Sequence, residues 1–276
     1  MTRSEEVRDF LSTRRARITP EAAGLPNFAA HRRVPGLRRE EVAMLAGVSV
    51  EYYTKLERGN LSGASESVLN SLAGALQLTR EERDYFFLLA KSTSPSRAAR
   101  RSPNVESLRA NLQHTIDLMA GIPVYVRNSK LDILGLNALG KAVFPWAVSS
   151  DGKPRNTARF VFLNDEARNF FPDWQKSAED AVSILRMAAV KDPYDRALTD
   201  LIGELSTRSE DFRQMWARHN IGRNQIGQKH FFHPVVGALT FNYEALSAFE
   251  DPDLVMLVYT PAAGSPEVDK LLQLSN

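Results

Sequence analysis

The sequence predicts an all-α domain containing a helix-turn-helix, followed by an α+β domain with an antiparallel sheet. Apolar residues recur with helical spacing in five successive segments of residues 1–91. A polar, basic stretch with two prolines covers 92–104, which is the composition of a linker. From 105 to 276, strand-like runs come before and after a helical insert. We therefore expect two domains, 1–91 and 105–276, joined by 92–104.

The composition is that of an ordinary globular protein, with 43% hydrophobic and 25% charged residues. Its 276 residues include no cysteine, which excludes disulfides and thiolate metal sites and suits a reducing cytoplasm. No apolar run approaches the roughly 20 residues of a membrane span, and the N-terminus lacks the apolar core of a signal peptide. We expect a cytoplasmic protein without a membrane partner.

The charge is unevenly distributed along the chain. Residues 1–100 hold 16 basic and 12 acidic side chains, whereas the rest holds 19 and 21. From Arg14 to Arg39 there are seven arginines and one acidic residue. Because positive charge gathers where a protein meets phosphate, the asymmetry assigns nucleic-acid binding to the N-terminal part.

The stretch Leu37–Gly59 predicts two helices joined by a tight turn. Gly47 can take the left-handed conformation in which a helix often ends, and Ser49 is a suitable N-cap for the next helix. Ala43 is small where the two helices approach closely. A plain helical hairpin needs none of these three residues, so the pattern indicates a DNA-binding helix-turn-helix. The residues predicted to face the core are Val42, Leu45, Ala46, Tyr53 and Leu56.

The flanking helices frame this unit. One is predicted from Ser4 to Arg17, and a capping box of Thr79 and Glu82 opens the last. Glu57 follows a core residue, so its side chain is expected to turn toward the end of the first helix. We predict a partly buried ion pair there with Arg14 or Arg15.

A long connection, residues 19–37, separates the first helix from the helix-turn-helix. It carries Arg32 and Arg33, and Arg38 and Arg39 follow it. The segment is either a solvated basic loop or an arm that follows phosphates or enters a minor groove. The adjacent helix-turn-helix favours the second interpretation.

The second domain mixes strand-like and helical segments. Strands are predicted at Pro123–Arg127, Leu131–Leu136, Lys229–His233, Gly237–Leu246 and Leu254–Thr260. Helices are predicted from Val105 to Gly121, at Asn137–Phe144, at Asn156–Leu163, from Pro172 onward, at Asp195–Thr207 and at Glu210–Arg218. This order describes an α+β domain with an antiparallel sheet.

Enzyme and metal motifs are missing from the sequence. It contains no nucleophile elbow, P-loop, HExxH or dinucleotide-binding fingerprint. His230 and His233 are three apart in a predicted strand, so they point to opposite faces and do not share a metal. Helix caps and ion pairs account for Asp165, Glu166 and Asp173 more simply than acid–base chemistry. We predict no catalytic residue, no metal and no cofactor.

Two blocks of the sequence resemble known families. Leu37–Gly59 resembles the helix-turn-helix of Xre-family repressors, and the longer RRVPGLRREEVAMLAGVSVEYYTKLERG resembles the subset with a C-terminal MmyB-like ligand-binding domain. The pattern of that domain is present in NTARFVFLN (156–164), AR and PDW (167–174), GELS (203–206), FRQMWARHN (212–220), HPVVG (233–237), NYE (242–244) and VYTPAAGSP (258–266). The resemblance implies a PAS-like fold and a sensing role for the second domain.

The resemblance also implies roles in DNA binding. It places Val50, Glu51 and Lys55 at positions that face base edges, and Arg39 near a phosphate at a helix start. Many Xre repressors have a serine or threonine cap where this chain has Arg38, which favours a phosphate role for Arg38. The predicted DNA-contact residues are Arg32, Arg33, Arg38, Arg39, Ser49, Val50, Glu51, Tyr52, Thr54, Lys55 and Arg58.

A ligand pocket is predicted between the sheet and the helices of the second domain, because PAS-like folds commonly leave a cavity there. A mostly apolar lining would select a small lipid-like or aromatic effector, with Arg168 or His219 as its polar anchor. The alternative is a fully packed interior. The predicted lining residues are Tyr125, Leu134, Phe162, Arg168, Trp174, Trp216, His219, Phe232, Tyr243 and Tyr259.

Together these observations predict a ligand-responsive transcriptional regulator, a repressor, that binds double-stranded DNA as a homodimer. One helix-turn-helix reads only a few base pairs, so two copies and an inverted-repeat operator are expected. One alternative is a DNA-binding dimer whose second domain is structural and binds no ligand. Another is a binding or carrier module that does not bind DNA.

Overall fold

The computed structural model describes residues 2–25, 34, 36–91, 108–148, 155–222, 226–247, 251 and 253–275. The chain forms two compact units. The first comprises Met1–Arg97 together with Ala217–Gly222, and the second comprises Ala98–Trp216 with Arg223–Asn276. The predicted linker 92–104 and two predicted DNA-contact residues, Arg32 and Arg33, lie outside the described residues.

Five helices form the described part of the first unit. They are α1 (Arg3–Arg17), α2 (Arg39–Ala46), α3 (Val50–Glu57), α4 (Glu66–Ala75) and α5 (Arg80–Lys91). Helices α2 and α3 are the predicted helix-turn-helix. As expected, Gly47 ends α2 in the left-handed conformation, with a φ of 66°, and Ser49 caps α3. The main-chain N–H of Thr79 donates to Glu82 at 3.0 Å, which confirms the cap of α5.

The buried face of α2 differs from the prediction by one residue. Val42 and Ala46 are buried as expected, but Leu45 is 38% exposed and Ala43 is buried instead. Helix α2 packs against both α3 and α4. The small side chain of Ala43 permits this close approach, and Leu45 is turned toward solvent.

Helix α1 supplies a large part of the core of the first unit. Its residues Val7, Phe10 and Leu11 are completely buried. The ring of Phe10 contacts Tyr85 of α5 edge to face at 5.2 Å and stacks on Phe86 at 6.1 Å. Aromatic burial of this kind fixes α1 against α5.

The second unit contains a five-stranded sheet in which all neighbouring strands are antiparallel, as predicted. The strands are β1 (Val124–Arg127), β2 (Ile133–Leu136), β3 (Ile226–His233), β4 (Gly237–Ser247) and β5 (Val255–Thr260). Their order across the sheet is β2-β1-β5-β4-β3. Strand β3 begins three residues before the predicted start. The prediction missed these residues because they lack an apolar alternation, and in the structure they are exposed.

Helices fill the insert between β2 and β3 and flank the sheet. They are α6 (Ala110–Asp117), α7 (Ala138–Val143), α8 (Thr157–Leu163), α9 (Ala167–Phe170), α10 (Trp174–Lys191), α11 (Arg196–Arg208), α12 (Glu210–Ala217) and α13 (Pro266–Ser275), with a 3-10 turn at Pro145–Ala147. Helix α13 was not predicted, and Leu271 is its buried residue. Within the described ranges, no helix is long and apolar enough to cross a membrane.

The two faces of the sheet belong to two separate cores. Tyr125 and Tyr259 contribute to the larger core, which the helices of the insert cover. Val124 and Val126 pack with Ile116 of α6 on the opposite face. Because side chains alternate along a strand, neighbouring residues of β1 lie in different cores.

Candidate nucleic-acid interface and ligand-binding core

Helix α3 has a buried face and a solvent face. Its buried residues are Tyr53, Leu56 and Glu57. Its exposed residues are Val50, Glu51 and Lys55, with Tyr52 and Thr54 half-buried. The residues predicted to face base edges therefore lie together on the solvent side of one helix.

The exposed face of α3 carries groups that can distinguish base pairs. The ammonium of Lys55 can donate to guanine, the carboxylate of Glu51 can accept from cytosine, and the methyl groups of Val50 can contact thymine. At the start of α3, Ser49 Oγ accepts a hydrogen bond from the Tyr52 main-chain N–H at 3.1 Å, so this hydroxyl is used as a helix cap. Arg58 follows the helix and is exposed.

A buried carboxylate joins α3 to α1. Glu57, whose side chain is 2% exposed, accepts hydrogen bonds on Oε1 from Arg15 Nε at 3.0 Å and Nη2 at 2.8 Å. Arg15 Nη1 also donates to the Leu37 carbonyl at 2.8 Å. The predicted ion pair is confirmed, with Arg15 as the partner. Burial and the charge of Glu57 raise the pKa of the Tyr53 hydroxyl far above its usual range, so this hydroxyl stays protonated.

Arg39 belongs to the same ion-pair network. Its Nε donates to Glu57 Oε2 at 2.5 Å, while its side chain stays 51% exposed. A phosphate contact was the one role expected for Arg39. The structure adds a structural role, because the carboxylate of Glu57 holds this guanidinium in place at the start of α2.

Arg38 lies where a serine or threonine cap was expected. Its main-chain N–H donates to Glu41 Oε2 at 2.6 Å, so Glu41 satisfies an amide at the start of α2. The side chain of Arg38 is exposed, with Nη1 3.3 Å from Glu40. Its guanidinium is therefore not used as a cap and lies at the surface, where a phosphate can reach it.

A second buried carboxylate, Glu82, binds the end of α1. Its carboxylate forms an ion pair with Arg14 Nε at 2.9 Å. It also accepts hydrogen bonds from the two terminal nitrogens of Arg17 at 2.7 and 3.0 Å. Burial opposes its ionisation, but the hydrogen bonds from Arg17 and Thr79 and the charge of Arg14 outweigh burial and lower the pKa of Glu82. Helix α1 is thus held by one carboxylate on α3 and another on α5.

The larger core of the second unit contains a group of tyrosines on one face of the sheet. The ring of Tyr259 stacks on Tyr125 at 5.9 Å and on Tyr243 at 6.0 Å. The hydroxyls of Tyr259 and Tyr125 are 3.4 Å apart. Burial raises the pKa of all three hydroxyls, that of Tyr243 to about 12, so they remain neutral hydrogen-bonding groups. These three predicted lining residues are brought together, and we call them the tyrosine cluster.

Sequence reasoning missed a cation beside the tyrosine cluster. Arg127 is 5% exposed and pairs with Val255 of β5, as Tyr125 pairs with Leu257. Both partners belong to the larger core, and paired residues of antiparallel strands share a face, so Arg127 lies on the same side of the sheet as Tyr125. Burial raises the pKa of Tyr125 and Tyr259, and the charge of Arg127 partly opposes this rise. Arg127 Nη1 donates to the Asn128 carbonyl at 3.1 Å. The alternation Val-Tyr-Val-Arg in β1 was the signal that could have placed it there.

Three other predicted lining residues form a second aromatic group around Phe212. Phe162 contacts Phe212 edge to face at 5.1 Å and Trp174 at 6.0 Å. Trp216 stacks on Phe212 at 5.5 Å. The indole of Trp174 donates to the Val161 carbonyl at 2.9 Å, which satisfies its polar group. These side chains pack in or against the same core, on its helical side.

Two predicted lining residues on strands lie on the wrong face of the sheet. Leu134 packs in the smaller core with α6. Phe232 is 54% exposed, because its neighbour Phe231 takes the inward position in the alternation of β3. Their assignment to the pocket was therefore wrong.

Both predicted polar anchors also lie elsewhere. Arg168 is exposed, pairs with Asp211 at 2.7 Å and places its guanidinium 3.7 Å from the ring centre of Trp174. His219 is buried in the first unit against α1. Neither residue contacts the tyrosine cluster. Lys229 Nζ lies 5.5 Å from the ring centre of Tyr243, and the charge of Arg127 acts on Tyr125 and Tyr259.

The histidines of β3 take opposite faces, as predicted. His230 is exposed, whereas His233 is buried with Nε2 3.0 Å from the Ala142 carbonyl. Across the described ranges, no group of three or more His, Cys, Asp or Glu side chains is arranged to hold a metal ion.

Two family models match the chain. The MmyB-like transcription regulator ligand binding domain matches residues 108–274, and a helix-turn-helix domain matches residues 11–86. The comparison with curated proteins gave no match. The first model spans the whole sheet with the tyrosine cluster, and the second spans α2, α3 and the ion pair of Glu57. Both matches agree with the architecture that the sequence predicted.

Proposed function

Because the chain belongs to the family with an MmyB-like transcription regulator ligand binding domain, we propose that it represses transcription by sequence-specific binding to operator DNA. Its two domains are those of a DNA-binding transcription regulator with a ligand-binding domain. The observation that carries the finer proposal is the solvent face of α3. This face presents Lys55 and Glu51, while the buried Glu57 fixes the opposite side of the helix.

In this proposal α3 enters the major groove and reads base edges. Arg38 and the exposed part of Arg39 contact phosphates at the start of α2, where the helix N-terminus adds favourable charge. Two chains bind an inverted repeat, since one helix covers only a few base pairs. A mobility-shift assay with DNA from upstream of the chain's own gene, against random DNA of equal length, tests this. Equal affinity for both DNAs would refute sequence-specific regulation, and absence of binding to both would favour a carrier module.

We further propose that the second domain binds a small, mostly apolar molecule with an acidic group. The tyrosine cluster offers aromatic faces and neutral hydroxyls, and Arg127 offers a buried cation beside them. A guanidinium in such surroundings forms strong charge-assisted hydrogen bonds with a carboxylate. An effector acts on DNA binding only through a difference in its affinity for the DNA-competent and incompetent states.

Native mass spectrometry of the purified chain tests for a bound small molecule. Binding of 1-anilinonaphthalene-8-sulfonate, an aromatic anion, provides a second readout. Arg127→Met is expected to weaken this binding about tenfold, as a lost charged hydrogen bond would. Arg159→Met is the control, because Arg159 is a more exposed arginine of the same unit that pairs with Glu204. A chain that carries no molecule and binds the probe equally in both variants would support a purely structural second domain.

A further inference from the structure

The segment Ala217–Gly222 is part of the first unit, although the ligand-binding family model spans it. We call these six residues the strap. It follows directly after Trp216, the last residue of its part of the second unit. His219 and Ile221 of the strap are buried. The polypeptide therefore runs from α12 straight into the unit that contains α3.

Helix α1 holds the strap through His219. Arg14 Nη2 donates to the His219 carbonyl at 2.5 Å. The imidazole lies between two acids, with Nδ1 3.3 Å from Glu6 Oε1 and Nε2 3.7 Å from Asp9 Oδ2. Glu6 also accepts a hydrogen bond from the Tyr85 hydroxyl of α5. The strap is thus anchored at both the main chain and the side chain of one residue.

The backbone of His219 adopts an unfavourable conformation. Its φ of +51° lies in the left-handed region, which non-glycine residues rarely occupy. Such a conformation persists only where surrounding contacts hold it, and it is concentrated at functional and switch positions. The contacts with Arg14, Glu6 and Asp9 help to hold it here.

A second buried arginine holds the chain just before the strap. Arg186 of α10 donates from Nη2 to the Trp216 carbonyl, and its guanidinium lies 4.3 Å from the ring centre of Trp216. Helix α10 contributes Ala178 and Leu185 to the larger core of the second unit. Two buried arginines, Arg14 in the first unit and Arg186 in the second, therefore donate hydrogen bonds to the main-chain carbonyls of His219 and Trp216, which are three residues apart.

We propose that the strap transmits conformational change from the ligand-binding core to the DNA-reading helix. A displacement of α10 moves the Trp216 carbonyl. Trp216 and His219 are only three residues apart, so the chain between them is too short to take up this movement without displacing His219. His219 then acts on α1, which Arg15 fastens to Glu57 of α3. The proposal relies on the proposed function in one respect, that α3 reads DNA.

Hydrogen–deuterium exchange of the full chain, without DNA, tests this transmission. Arg186→Met is expected to speed amide exchange in α1 about tenfold. The substitution removes the hydrogen bond to the Trp216 carbonyl, and the strap is then no longer constrained from α10. Arg159→Met is the control and should leave α1 unchanged. Unchanged α1 exchange in Arg186→Met, with the second unit folded by tryptophan fluorescence, would overturn the proposal.

A strap lengthened by two residues distinguishes transmission through the strap from a general destabilisation of the chain. Two glycines inserted between Ala217 and Arg218 keep the hydrogen bonds of Arg14 and Arg186 but lengthen the short connection between them. In this background Arg186→Met should no longer change α1 exchange, and an undiminished change would overturn the proposal. If Arg186→Met does not fold, His219→Gly tests the reverse direction, since coupling is reciprocal. It should speed exchange in α10 about fivefold, and unchanged α10 exchange would count against the strap. DNA affinity of the unmodified chain tests the proposed function separately.

Discussion

Arg15 and Glu57 form a buried, two-point ion pair between residues 42 positions apart, and it fastens the first helix to the recognition helix. Glu57 lies between the fully buried Leu56 and the exposed Arg58 at the end of α3. The pair therefore limits rotation of α3 about its axis. That rotation decides which side chains, Lys55 among them, face a DNA groove.

Glu57→Ala should destabilise the first unit by about 3–5 kcal/mol, because it leaves Arg15 without its buried carboxylate. All three tryptophans, Trp146, Trp174 and Trp216, belong to the second unit. Denaturant unfolding followed by circular dichroism should thus show an early transition that tryptophan fluorescence does not show. Glu51→Ala, an exposed glutamate on the same helix, is the matched control and should change little. Coincident, unshifted transitions in Glu57→Ala would contradict the structural role.

Lys55→Ala should lose discrimination at one base pair, at a cost of about 1–3 kcal/mol on operator DNA. Arg38→Ala should instead weaken operator and random DNA alike and reduce the salt dependence of binding. Fluorescence anisotropy at several salt concentrations separates the two effects. Equal losses on both DNAs for Lys55→Ala would remove it from the reading face.

Glu82 should make the stability of the first unit depend on pH in the acid range. Its pKa in the folded state is lowered from the ordinary 4.5. Its stabilisation is therefore fully present above that value and is lost as the pH falls through the lowered folded pKa. Glu82→Gln should flatten the pH dependence of the unfolding free energy there, whereas the exposed Glu66→Gln should leave it unchanged. Parallel pH profiles for the native chain and Glu82→Gln would argue against an ionised Glu82.

The chain should bind its operator as a two-fold dimer. Recognition helices in successive major grooves are about 34 Å apart, so the two half-sites must be one helical turn apart. Sedimentation should show two chains on a full operator. Five base pairs inserted between the half-sites should abolish cooperative binding, because they place the two grooves on opposite sides of the duplex. A single chain on the full operator, at concentrations that saturate it, would rule out the dimer.

Local structure could be predicted from the sequence because its causes are short-range. Ala43, Gly47 and Ser49 act within two turns of helix, and they determined the helix-turn-helix. Alternation and β-branched residues likewise indicated all five strands, although β3 began earlier than expected. The ion pair of Glu57 was predictable because helical spacing turns the residue after a core leucine toward the neighbouring helix.

The placement of side chains in the sheet and in the strap was decided by the tertiary structure alone. Phe231 and Phe232 are chemically identical, and only the register of β3 with β4 turns one inward and the other outward. His219 and Glu6 are 213 positions apart, and no periodicity in either segment indicates that they meet. Which side chains share a core depends on how the whole chain buries its apolar surface. That burial is a collective property, and a short window of sequence does not contain it.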